Sequence, residues 1–209
     1  ALDFIAKTKA PGRVSVGKHG AVLGGGNTAL DAAIAAKRLG AEEVTVYYRR
    51  TAAEMPAYPA KFELAKQEGV VFQWLAAPHQ LTGSDRVEKV SFTRMRLGDA
   101  DDSGRKRPIP IPGSEHTVRA NMVIVALGQE LNPTLPKLLN LNKGLIQVDE
   151  QGRTSSPKVF AGGDCVNGGR EVVFAVAQGK RAAQGIAALL GGKAAIQNPG
   201  MVRSSCESG

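Results

Sequence analysis

The chain has 209 residues, 43% of them hydrophobic and 22% charged, an ordinary globular balance with length enough to bury a core. No apolar run reaches the roughly 18 residues of a membrane span, and the first nine residues lack the order of a signal peptide. The net charge of +8 raises nucleic-acid binding, but the charges are scattered and only 5% of residues are aromatic, which leaves few platforms for stacked bases.

The chain opens without Met and inside a helical phrase, so it reads as a piece of something longer, with residues 1–17 as a connecting segment. His19 to Leu23 is a short apolar strand. It runs into Gly24-Gly25-Gly26-Asn27-Thr28-Ala29, a G-x-G-x-x-A turn, and then a helix over Asn27 to Leu39 that Gly40 stops. Val44 to Tyr48 reads as the second strand. Strand, glycine turn, helix and strand fill one βαβ unit, the context in which this pattern points to a dinucleotide. Gly24 permits the tight turn, Gly26 lets a pyrophosphate approach the backbone, and Ala29 keeps helix and strand close. The helix N-terminus offers unpaired N–H groups and partial positive charge. The bland alternative is a glycine-rich turn that binds nothing.

Where an NAD-binding unit places Asp or Glu, about 20 residues past the glycines, this chain has Arg49-Arg50. A guanidinium pair suits a 2′-phosphate, so NADPH is the expected dinucleotide; the competing reading is a surface arginine pair. Thr51 and Glu54 fit a capping box, as readily structural as cofactor-binding.

A helix is expected over Ala60 to Glu68, then strands over Val70 to Leu75, Val87 to Met95 and Met122 to Leu127. Strands without intervening helices suggest a β-meander crossing over a parallel sheet. Gly98 to Gly113 reads as a polar, proline-bearing loop in which Arg105-Lys106-Arg107 is solvated beside Asp99, Asp101 and Asp102. Gly128, at the end of the last strand, either lets a nicotinamide or flavin pass close by or simply ends the strand.

Beyond Gly128 the texture changes. Asn132 to Gly144 reads as an irregular linker, Leu145 to Val148 and Lys158 to Ala161 as short extended pieces, Glu171 to Leu190 as a helix, and Lys193 to Gly209 as a disordered tail. Val159 to Asp164 is a strand entering a glycine turn. Asp164 could accept from a ribityl or ribose hydroxyl beside Gly162 and Gly163, and the helix start at Glu171-Val172-Val173 could aim N–H groups at a flavin. A plain helix-capping loop is the equal alternative. The two cysteines, Cys165 and Cys206, form neither a CxxC pair nor a cluster-binding set, and a reducing cytoplasm is the default compartment.

Three phrases, residues 22–70, 123–129 and 158–186, closely resemble the glutamate synthase small subunit family, which includes the flavin and NADPH half of dihydropyrimidine dehydrogenase. The resemblance covers residues 1–192. It implies an α/β architecture: a Rossmann-like NADPH-binding domain over residues 18–130, the C-terminal portion of an FAD-binding domain over 131–192, and a tail over 193–209. It also implies hydride transfer from NADPH to FAD, with electrons leaving through iron–sulfur clusters to a partner catalytic subunit or domain. By motif, Gly24, Gly25, Gly26, Asn27 and Thr28 serve the pyrophosphate and Arg49 and Arg50 the 2′-phosphate. Gly163 and Asp164 contact FAD, and Val172 and Val173 present backbone near its ring system. The family's first glycine fingerprint and its cysteine-rich region are expected upstream of Ala1, so the chain by itself is expected to hold FAD weakly.

Such chemistry needs no side-chain acid or base, since holding nicotinamide C4 about 3–3.5 Å from flavin N5 supplies most of the catalysis. His19, His79 and His116 are read as structural. An alcohol dehydrogenase of the Tyr-x-x-x-Lys kind is disfavoured because Tyr58 and Lys61 have the wrong spacing around Pro59. A disulfide reductase is disfavoured by the missing CxxC. A non-enzymatic nucleotide- or nucleic-acid-binding module remains as the rival; neither nucleic acid nor membrane is expected as a partner.

Overall fold

In the computed structural model the described residues are 1–9, 14–100, 104–129, 131, 134 and 137–191. The chain divides into two units, Ala1–Gly128 and a second from Gln129 onward. The first runs α1 (Leu2–Lys9), β1 (His19–Leu23), α2 (Asn27–Arg38), β2 (Glu43–Tyr48), α3 (Pro59–Gln67), β3 (Val71–Trp74), β4 (Ala76–Thr82), β5 (Lys89–Ala100), β6 (Lys106–Pro110), β7 (His116–Arg119) and β8 (Met122–Val125).

Four of these strands form a parallel sheet in the order β3-β2-β1-β8. The chain leaves β1 for β2 on one side and returns through β8 on the other, so the strand order reverses at β1. Ligands of open α/β sheets sit at the carboxyl ends of strands at such a reversal. Here those ends are Gly24, Arg49 and Ala126.

The sheet is apolar on both faces because both are covered. Val22, Val44, Val46 and Ile124 turn toward α2 and pack with Leu30, Ala33 and Ile34. Ala21, Leu23 and Tyr47 turn the other way, toward Val90 and Phe92 of β5. Tyr47 stacks on Phe92 with ring centroids 3.9 Å apart. The small residues Ala29, Ala32, Ala33 and Ala36 are fully buried; they favour helix and let α2 lie close on the strands. The residues read as a connecting segment include α1, whose Phe4 and Ile5 pack on the same helical layer.

The second face is closed by the meander. β5 is twelve residues long and is shared: its first part pairs with β4 and β7, its last part with β6, all antiparallel. The expected loop over Gly98 to Gly113 is thus corrected, since β5 runs on to Ala100 and Lys106–Pro110 is a strand. The hydrogen bonds of β5 impose extension on a stretch whose charges and prolines conceal it.

The second unit contains β9 (Leu141–Asn142) and β10 (Leu145–Ile146), an antiparallel pair. An isolated bridge joins Arg153 and Phe160. α4 (Asp164–Asn167) and α5 (Val172–Leu189) follow. The loop expected over Cys165 to Arg170 therefore begins as one helical turn. α5 sits tightly on the bridge: a Cβ on Gly185 would lie 2.7 Å from the Phe160 ring. Residues 193–209, read as a tail, lie outside the described residues. Among the described residues no helix is long and apolar enough to cross a membrane.

Candidate functional site

The glycine turn is built by the close approach of β1 and β8. Gly24 has φ +135°, and a Cβ there would lie 2.2 Å from the carbonyl oxygen of Ala126, so neither its conformation nor its space admits a side chain. Gly25 rests on the ring of Tyr48, which a Cβ would meet at 2.6 Å. Gly26 differs: it has extended backbone at the N-cap of α2, and a Cβ there would meet nothing within 4 Å. The turn closes on the protein at Gly24 and Gly25 and is open at Gly26.

The first amides of α2 face that opening. Ala29 and Leu30 N–H both donate to Gly26 O, at 3.0 and 3.3 Å, while the N–H groups of Gly25, Gly26, Asn27 and Thr28 have no protein acceptor among the described residues. Four consecutive unpaired donors at the positive end of a twelve-residue helix are an arrangement suited to an anion. The Asn27 side chain is placed differently from the sequence expectation: its Oδ1 accepts from Tyr58 N–H at 2.9 Å, tying α2 to the start of α3. Its backbone amide remains for a ligand.

Arg49 and Arg50 part company. Arg49 is exposed at the carboxyl end of β2. Arg50 is 4% exposed, and its Nε donates to Lys106 O at 2.7 Å, so the arginine pair is not an open fork and Arg50 binds β2 to β6. The next turn is the capping box that the sequence suggested: Thr51 N–H and hydroxyl both donate to Glu54 Oε2. The Thr51 hydroxyl is the main cause that holds the Glu54 carboxyl below the usual carboxylate range, helped by the backbone amides of Thr51 and Glu54 and, least, by Lys106. Tyr48 joins the two halves of the site, since its ring lies under Gly25 and its hydroxyl donates to Glu54 O at 2.9 Å. Sequence reasoning read Tyr48 only as a strand residue; its position just before the arginines was the available signal.

Gly128, at the carboxyl end of the β8 segment, has φ +114° and open space where a Cβ would stand. Of the three histidines, His19 pairs with Glu43 at 3.1 Å, His116 leans on Phe92 and His79 is exposed.

In the second unit, Gly163 N–H donates to Gln178 Oε1 at 2.7 Å, and Asn167 Nδ2 shares that acceptor at 2.9 Å. The Gly163 amide is therefore occupied internally by a residue of α5 that no local motif signals. Asp164 is exposed at the first position of α4, and its carboxylate has no partner among the described residues. Val172 and Val173 open α5 at 73% and 63% exposure. Their N–H groups precede the first helical bond, that of Phe174 to Glu171 O. This unit offers a carboxylate, two amides and an apolar helix start, which fit one edge of a flavin.

A family model described as pyridine nucleotide-disulphide oxidoreductase matches residues 1–179. The NADP(+)-dependent formate dehydrogenase subunit beta of Moorella thermoacetica is 44% identical over 180 residues, 81% of this chain and 25% of that protein. The glutamate synthase (NADPH) small chain of Halomonas elongata is 41% identical over 179 residues, 81% of this chain and 38% of that one. This chain thus spans well under two thirds of either relative. Among solved structures, the thioredoxin reductase of T. acidophilum superposes with a TM-score of 0.65 over 84% of this chain and 53% of its own, at 22% identity, a likeness of fold. The resemblance to glutamate synthase small subunits drawn from the three phrases holds.

Proposed function

Because the chain belongs to the pyridine nucleotide-disulphide oxidoreductase family, we propose that it is the NADPH-binding part, joined to a portion of the FAD-binding part, of an electron-input flavoprotein. The observation that carries this reading is the row of unpaired amides from Gly25 to Thr28, opening at the carboxyl edge of the sheet one strand away from the exposed Arg49. Those amides hold a diphosphate, and Arg49 takes the 2′-phosphate. Two relatives named for NADP(+) and NADPH support the choice of dinucleotide.

FAD, when bound, supplies the hydride-accepting chemistry and the means to pass electrons on. The residues of the second unit would contribute orientation and charge: Asp164 would accept from a hydroxyl of the cofactor, and the Val172 and Val173 amides would offer donors to negative charge on its ring. The electrons then pass, by way of iron–sulfur clusters, to a partner catalytic subunit; relatives named as a beta subunit and a small chain support the partner. The sequence holds no CxxC pair for a disulfide substrate, and the Cys165 thiol donates to Gly162 O at 3.4 Å.

Calorimetric titration with NADP⁺ and NAD⁺ tests the reading. The chain is expected to bind NADP⁺ at least about tenfold more tightly, and Arg49→Ala to lose about 10- to 100-fold in NADP⁺ affinity with little change for NAD⁺, the range of one charge-assisted contact. Equal affinity for the two dinucleotides would remove the reading.

A further inference from the structure

The triplet Arg105-Lys106-Arg107 lies 55 residues or more beyond the arginines that follow β2 in sequence, yet the meander brings Lys106 to Arg50. β6 pairs with the end of β5 in a register that sets Lys106 opposite Ala100. The Lys106 carbonyl accepts from Arg50 Nε at 2.7 Å, so residue 106 is fixed at the carboxyl end of β2, where the 2′-phosphate reading places its ligand. Lys106 itself is exposed.

The charges at that spot call for it. A 2′-phosphate brings nearly two negative charges, and the Glu54 carboxylate already stands there, bound by Thr51. Of the two arginines only Arg49 is exposed there, because Arg50 is buried and its Nε donates to Lys106 O. Lys106 lies near enough to Glu54 to help keep its carboxyl ionised, and one lysine between a carboxylate and a phosphate offsets the repulsion of the first while attracting the second.

We propose that Lys106 is a specificity-determining cation of the 2′-phosphate site, supplied by the meander rather than by the βαβ unit. The proposal rests on the NADPH reading above. It assigns the meander a task besides covering the sheet, since β6 carries a cation to the ligand as well as a tether for Arg50.

The structural and ligand-binding roles of residue 106 can be separated, because the tether uses its backbone carbonyl, which Lys106→Ala keeps. The full chain, Lys106→Ala, Lys106→Arg, Arg49→Ala and Lys89→Ala are each titrated with NADP⁺ and NAD⁺ at low and moderate salt, with thermal melts alongside. Lys106→Ala is expected to melt as the parent does, to lose about 5- to 10-fold in NADP⁺ affinity at low salt and less at moderate salt, and to bind NAD⁺ unchanged. Lys106→Arg should restore most of the loss. Lys89→Ala, which removes one charge from the far half of β5, should change neither affinity. If Lys106→Ala binds NADP⁺ like the parent while Arg49→Ala loses its preference, the proposal fails and the NADPH reading stands. If Lys89→Ala costs as much as Lys106→Ala, the effect is one of net charge and the proposal also fails. A parent chain without preference for NADP⁺ sinks the reading itself, and the proposal with it.

Discussion

Gly24 and Gly26, two positions apart, need glycine for opposite reasons. At Gly24 the demand comes from the protein, through φ +135° and the Ala126 carbonyl 2.2 Å from any Cβ. Gly24→Ala is expected to cost about 3 kcal/mol of folding stability or more, since β1 and β8 must part and the backbone is strained. At Gly26 the backbone is extended and the Cβ position is empty. Gly26→Ala is therefore expected to change stability by no more than about 1 kcal/mol, the range of an N-cap substitution, while NADP⁺ binding weakens more than about tenfold because the methyl stands where the diphosphate approaches. Denaturant unfolding and calorimetry on the two variants separate the demands, and a Gly26→Ala chain that binds normally would show that no ligand uses that space.

Between elements, ion pairs and capping bonds fasten the helical layer. Lys61 reaches Asp31 at 2.7 Å between α3 and α2, Arg38 and Glu68 pair across the same helices, and Lys18 pairs with Glu42 at 2.6 Å before β2. Hydrogen bonds from Arg38 and Lys18 hold the Glu68 and Glu42 carboxyls below their ordinary range, and the Thr51 hydroxyl does so for Glu54. Carboxyls depressed by folding bind fewer protons in the folded than in the unfolded chain. Their contribution is present above the ordinary carboxylate pKa and is lost as pH falls through the lower folded values. The melting midpoint is expected to fall as pH drops below about 4.5, and Glu68→Gln to shallow that fall; a midpoint flat down to about pH 3 would contradict the assignment. On the other face of the sheet, Phe92 is fully buried against Tyr47. Phe92→Ala is expected to cost about 3–5 kcal/mol by unfolding, with dinucleotide preference retained in whatever fraction folds.

The same elements differ in how far the sequence revealed them. β1, α2 and β2 were legible almost to the residue because a local pattern, glycine turn and helical period coincide with the tertiary demand. β4 and β6 were not. β4 carries Pro78 and is mostly exposed, and β6 holds Pro108 and Pro110 among basic residues; both are strands because β5 pairs with them, a non-local cause. The error then spread to the site. Without β6 at the end of β2, Arg50 had no partner to bury it and the two arginines read as equivalent. The internal bond at Gly163, a residue expected to contact FAD, is illegible for the same reason, since Gln178 reaches its amide from fifteen residues away.

At the scale of the molecule, the family model runs over both units, from residue 1 to 179, although the units differ in how they are built. The first is a covered parallel sheet whose strand order reverses at β1, and the second presents an exposed helix start after an acidic turn. The surplus of +8 gains meaning from its placement, because the exposed cations Arg49 and Lys106 lie at the carboxyl end of β2, where hydrogen bonds from Thr51 keep the Glu54 carboxylate charged. The most direct measurement is a titration of the isotopically labelled chain with NADP⁺, read as amide shifts. The largest shifts are expected at Gly25, Gly26, Asn27 and Thr28, with Arg49 following only for the 2′-phosphorylated dinucleotide. Saturation with NADP⁺ that leaves those four amides unmoved would contradict the account.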